Sequence, residues 1–138
     1  MMSAPRLNMS LGALTLTGTI VLAACGANSA DLLPLPPVAA EGRSVANKNG
    51  CAACHGTNGE GGVGPTFTGL FGSIVELDDG STVTADRDYL IESIKDPAAK
   101  RVAGFRLPMP TNRLTDDEID QIVDYIEALS TPPEEPTE

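Results

Sequence analysis

The run Cys51-Ala52-Ala53-Cys54-His55 constrains this chain more than any other feature. It gathers the only imidazole and two of the three thiols of 138 residues into five consecutive positions. Zinc needs four such ligands, and this run supplies three. Three cysteines are likewise too few for a disulfide scaffold. The core is thinly supplied as well: aromatics make up 4% of the chain and Trp is absent. The interior is therefore built from aliphatic side chains or around an imported group that is large and flat. The length predicts one domain. The balance of 9 Lys+Arg against 19 Asp+Glu, a net charge of −10, excludes a general nucleic-acid binder. There is no basic stripe to displace counterions from a phosphate backbone.

A Cys-x-x-Cys-His run is the attachment signature of a c-type haem. Two thiols at this spacing, at the end of a helix, reach the two vinyl groups of one porphyrin and form thioethers. The imidazole that follows then lies under the iron as its proximal ligand. A redox dithiol, a zinc site and a structural disulfide are the competing readings. A thioredoxin-like dithiol belongs in a βαβ context, and no such alternation surrounds residue 51.

The chain divides into four parts: 1–24, 25–37, 38–130 and 131–138. The first carries Arg6 as its only basic side chain, then an apolar stretch diluted by Thr15, Thr17 and Thr19. It ends Leu22-Ala23-Ala24-Cys25, which resembles a bacterial lipoprotein signal with its lipobox. That resemblance makes Cys25 the lipid-modified first residue of the mature chain. The alternatives are an ordinary signal peptide or an uncleaved membrane helix, although the run is short and rich in threonine for a spanning helix. Export places the protein outside the cytoplasm, in the periplasm or on the outer face of the cell membrane. Residues 25–37, with prolines at 34, 36 and 37, form an extended spacer able to hold a domain about 30–40 Å from its anchor. Residues 131–138 form a frayed acidic tail.

Within 38–130 the pattern predicts three helices and one hairpin. Residues 39–49 read as a short helix closing at Gly50. Residues 74–77 and 81–85 flank Asp79-Gly80, a strong hairpin signal. Asp86 caps a helix running to Lys95, stopped by Pro97. Thr115 and Glu118 form a capping box, after which Ile119, Ile122, Val123, Ile126 and Leu129 share one apolar face. The fold class is mostly α, with a short hairpin inserted ahead of the Met109 loop.

Met1, Met2 and Met9 lie in the signal, so Met109 is the one thioether of the mature chain. It stands between Pro108 and Pro110, which stiffen the loop and suit a fixed ligand better than a core filler. With His55 and Met109 as axial ligands the iron has no open position, which favours electron transfer over oxygen activation.

The chain at this point resembles the class I monohaem cytochromes c, over roughly residues 39–130, with Met109 placed 54 residues after His55. The resemblance extends to the haem domain fused to subunit II of some bacterial cytochrome oxidases. It rests on Gly64-Pro65-Thr66, Gly69-Leu70-Phe71-Gly72, the run from Asp79 to Asp86, Asp96-Pro97, Val102-Ala103-Gly104-Phe105 and Met109-Pro110. Here the copper domain and membrane hairpin of that subunit are missing. The chain is also similar to the monohaem lipoproteins of the quinol-oxidising alternative complex III. By this resemblance, one haem c is covalently held by Cys51 and Cys54. The carbonyl of Pro65 accepts the Nδ1–H of His55, and Gly42 and Tyr125 mark a crossing of the first and last helices. Ala46 stands where relatives place an aromatic. Tyr89, Arg101 and Arg106 are the candidates for holding the propionates. Asn112 matches a residue that, in some small relatives, donates to the ligand sulfur; the alternative is a cap on the turn before Thr115.

The function expected is one-electron transfer in a membrane-associated respiratory or photosynthetic chain, with an oxidase or a quinol-oxidising complex as partner. Two rivals are a ligand-binding or peroxidatic haem protein, which needs a displaceable sixth ligand, and a haem subunit of purely structural role. Lys95, Lys100, Arg101, Arg106 and Arg113 fall in nineteen residues around Met109, against one acid, Asp96. Such a collar steers the haem edge of this family toward an acidic partner, or else is a solvated face.

Overall fold

The computed structural model describes residues 34–130. The expected signal segment, Cys25, most of the expected spacer and the expected acidic tail lie outside the described residues. The first helix, α1 (Pro37–Lys48), begins two residues ahead of Ala39 and takes Pro37 into its first turn. A proline suits that place, because the N–H it lacks would have no partner in the helix. Gly50, at φ +82°, ends the helix. Its N–H donates to the Asn47 carbonyl at 3.2 Å, and the N–H of Cys51 donates to the Ala46 carbonyl at 3.0 Å. This paired closure turns the chain sharply and delivers Cys51 directly into the next element.

That element is α2 (Ala52–His55), with Cys51 as its N-cap. Cys51, Cys54 and His55 sit at i, i+3 and i+4, so one turn puts all three on the same side. The hairpin follows: β1 (Ile74–Glu76) pairs antiparallel with β2 (Thr82–Thr84), with Ile74 opposite Thr84 and Val75 opposite Val83. The N–H of Leu77 donates to Ser81 at 2.8 Å and that of Gly80 to Leu77 at 3.0 Å. The loop therefore holds three residues, Asp78 to Gly80, one more than the Asp79-Gly80 pair. A further rung was not expected: Leu77 bridges antiparallel to Val102, in the segment leading to Met109.

Helix α3 (Arg87–Lys95) starts at Asp86, whose carboxylate accepts from the Tyr89 N–H at 2.8 Å. Helix α4 (Asp116–Ala128) starts with the full capping box, Thr115 and Glu118 each bonded to the other's backbone N–H. Ile119, Ile122, Val123, Ile126 and Tyr125 of α4 are buried, and Leu129 packs partly against them. α1 crosses α4 at Gly42. A Cβ there would stand 1.9 Å from the Gln121 carbonyl oxygen and 2.9 Å from the Tyr125 Cβ, so only glycine admits this approach. Ala46 is 2% exposed, so the small side chain at that position is itself packed. The fold is mostly helical, with one small hairpin before α3. Among the described residues no helix is long and apolar enough to cross a membrane.

Candidate functional site

Between α2, α3, the hairpin and the loop around Met109 lies a cavity of about 370 Å³. Cys51, Cys54, His55 and Met109 all line it, although the last two stand 54 positions apart in the sequence. The geometry of each follows from its local backbone.

His55 is 9% exposed. Its Nδ1 lies 2.8 Å from the Pro65 carbonyl oxygen. A carbonyl only accepts, so Nδ1 carries the proton and Nε2 keeps its lone pair. Burial lowers the histidine below its usual pKa, and the Pro65 bond opposes that shift. The ring is therefore neutral near pH 7, as a ligand must be. The loop that supplies Pro65 is folded back over α2 by backbone bonds from Gly61 to His55 (2.7 Å), Gly64 to Cys54 (3.0 Å) and Phe67 to Gly59 (2.8 Å).

Phe67 is a residue the sequence reading missed. Its ring stacks on the imidazole at a centroid distance of 4.5 Å and an interplanar angle of 21°. The ring of Tyr125 meets Phe67 edge-on at 6.2 Å and 89°. The one available signal was that Phe67 is the first ring to follow Pro65.

Cys51 and Cys54 are free thiols, not a disulfide. Burial raises the Cys51 thiol above its ordinary pKa, and the neighbouring Cys54 adds to the shift. Among the described residues no three His, Cys, Asp or Glu side chains converge as a metal cluster.

Met109 is partly buried against the core, and Pro108 and Pro110 line the cavity on either side of it. Asn112 bonds on both sides of its amide, in keeping with the alternative of a cap on the turn before Thr115. Its Nδ2 donates to the Ile94 carbonyl at 2.7 Å, while its Oδ1 accepts from the Leu114 N–H at 3.2 Å. The amide thus ties the loop to the end of α3. Of the candidates for propionates, Tyr89 and Arg101 line the cavity. Arg106 lies instead in a neighbouring cleft with Gly62, Val63, Gly104, Phe105 and Leu107.

The basic collar is also partly spent. Lys95 pairs with Asp116 at 2.7 Å, Lys100 with Glu92, and Arg101 with Asp78 at 3.5 Å. Arg106 and Arg113 carry no ion pair among the described residues.

These features fit a haem c. The lining is mostly apolar, as a porphyrin face requires, and its donors are an imidazole and a soft thioether, which suit haem iron. It also contains the Ser93 hydroxyl, buried and without a partner in the protein. A buried polar atom of that kind marks a place where a bound group's polar edge belongs. Residues 39–130 match the family model described as Cytochrome c. No curated protein matches the chain at significant similarity. The cavity, the motif on its wall and the family match agree: the chain belongs to the cytochrome c family and holds a haem c covalently through Cys51 and Cys54.

Proposed function

We propose that this protein is a lipid-anchored, one-electron carrier whose iron is held by His55 and Met109. In this reading it works outside the cytoplasm, alongside or within a membrane oxidase or quinol-oxidising complex. The observation that carries it is the convergence of the chain's one His and its one Met after the signal on a single apolar cavity beside both motif thiols.

Bound haem c supplies an iron that alternates between ferrous and ferric states and so carries one electron at a time. The chain's own residues set the conditions for that change. Pro65 orients the imidazole and, by accepting its proton bond, makes Nε2 a stronger donor. Phe67 fixes the plane of the ring from one face. Met109 contributes an uncharged sulfur, which raises the potential relative to harder ligands. With His55 and Met109 both holding the iron, no open position would remain for oxygen or peroxide. The apolar walls keep water out, so little must rearrange when the charge changes.

A partner meets this protein at the rim of the cavity. Val63 is 54% exposed and Leu107 64% exposed, and both lie in the cleft that contains Arg106. Apolar contact there, beside Arg106, suits an acidic partner with an apolar centre.

The test is the absorption spectrum of the ferric protein. The reading requires a low-spin haem with the far-red band of methionine–iron charge transfer, lost in Met109→Ala. A high-spin spectrum at neutral pH in the unmutated protein would overturn it in favour of a ligand-binding or peroxidatic haem protein.

A further inference from the structure

We propose that the loop carrying Met109 is pinned at both ends, to the hairpin upstream and to the end of α3 downstream, and that these pins keep the methionine seated on the iron. The inference rests on the His55/Met109 reading and assigns the residues that maintain it.

The upstream pin is the unexpected rung on the hairpin. Leu77 bridges Val102, the Asp78 N–H donates to the Arg101 carbonyl at 2.9 Å, and the Ala103 N–H donates to the Glu76 carbonyl at 2.9 Å. The Arg101 Nε stands 3.5 Å from the Asp78 carboxylate across the same rung. The downstream pin is Asn112. Its amide donates at 2.7 Å to the carbonyl of Ile94, one of the last carbonyls of α3, which the helix leaves unpaired. Only residues 104–111 run free between the two, and Pro108 and Pro110 remove backbone freedom on each side of Met109. A methionine on a loose loop gains chain entropy when it leaves the iron. Held at both ends, it gains little. The hairpin is then a splint for the ligand loop, and Asn112 acts through the backbone, not on the sulfur.

Imidazole added to the ferric holoprotein competes with Met109, and its binding is read as loss of the far-red band. Its apparent affinity is set by how often the methionine is away. Asn112→Asp keeps the acceptor for Leu114 and removes the donor to Ile94, so the apparent affinity for imidazole rises about fivefold, the usual worth of one such bond. Ala103→Pro deletes the N–H that reaches Glu76 and gives a rise of about the same size. Arg101→Gln, milder and certain to leave the backbone rung intact, gives about twofold or less. Arg87→Gln is the control: it weakens the contact of α3 with α4 and lowers stability without changing imidazole affinity. Unchanged affinity in both Asn112→Asp and Ala103→Pro, with the band present, overturns the pins and leaves the ligand assignment standing. If Ala103→Pro does not fold, Asn112→Asp decides alone. An unmutated protein without the band overturns the ligand assignment itself.

Discussion

The Pro65 carbonyl oxygen stands 2.8 Å from His55 Nδ1 while Phe67 stacks on the same ring at 4.5 Å, so His55 is fixed both in its plane and against one face. The first contact comes from backbone and survives any side-chain change at 65; the second does not. Phe67→Leu should retain the covalent haem yet shift the g-values of the low-spin ferric signal, which report the orientation of the axial imidazole. The lost aromatic pair should also cost about 1 kcal/mol, lowering the melting temperature by about 4–8 °C. Unchanged g-values would assign Phe67 to packing alone.

Gly42→Ala places a methyl group on the backbone of α4, 1.9 Å from the Gln121 oxygen. Backbone cannot yield as a flexible side chain does, so α1 and α4 must separate. The expected loss is about 3 kcal/mol, visible as a fall in melting temperature of more than about 10 °C. A melting point within a few degrees of the parent would show that the crossing can slide.

The carboxylates of Glu118 and Asp79 both lie below their ordinary pKa in the folded protein. For Glu118 the chief cause is the Thr115 backbone N–H; for Asp79 it is the Ser81 hydroxyl. Below the usual carboxylate range the unfolded chain therefore binds more protons than the folded one, and stability rises with pH. The contribution is complete at neutral pH and is lost as the pH falls through about 4.5 and below. Thermal melts between pH 7 and 3 should show this slope, and Glu118→Gln should flatten it. An equally steep acid limb in that variant would rule Glu118 out as a contributor.

Electron transfer to a native acceptor should slow as salt is added, since screening at 1 M shortens the reach of charge to about 3 Å. With three of the five collar residues already paired, the slope should be shallow. Reversing Arg106 and Arg113 should slow the bimolecular reaction more than reversing Lys95 and Lys100. Asp120 and Asp124 are unsuitable as neutral controls, because both bind Arg87, at 3.3 and 2.9 Å. Asp117 serves better. A larger effect from Lys95 and Lys100 would move the docking face toward α3.

What the sequence disclosed was local chemistry. The Asp86 cap and the Thr115–Glu118 box involve partners three residues apart, so residue type and spacing specify them. The apolar face of α4 follows from period alone. The hairpin was legible in place, though Leu77 and Ser81 close a longer loop than the pair Asp79-Gly80 suggests. The contacts that escaped join distant parts of the chain. Asn112 reaches back 18 residues to Ile94, and no property of an isolated asparagine names its acceptor. The rung from Leu77 to Val102 is a single bridge without periodicity. Phe67 lies in a glycine-rich loop where neither helical nor strand spacing applies. The pairing of Lys95 with Asp116 likewise depends on α3 meeting α4, which turned a run of charge into a partly neutralised surface.

The contact of Gly42 with Gln121 has a consequence for the order in which the molecule is assembled. The first helix finds its partner only when the last one has been made, and closing so long a span is entropically costly. The cysteines, by contrast, are placed by bonds spanning three to five residues, from Asn47 to Gly50 and from Ala46 to Cys51. A chain ending before Thr115 should therefore still accept haem on its thiols, detectable as haem that stays with the polypeptide after acid–acetone extraction, while lacking the cooperative melt of the whole. Attachment is thus specified locally, by the turn that carries α1 into α2, whereas closure of the α1–α4 crossing belongs to the domain as a whole.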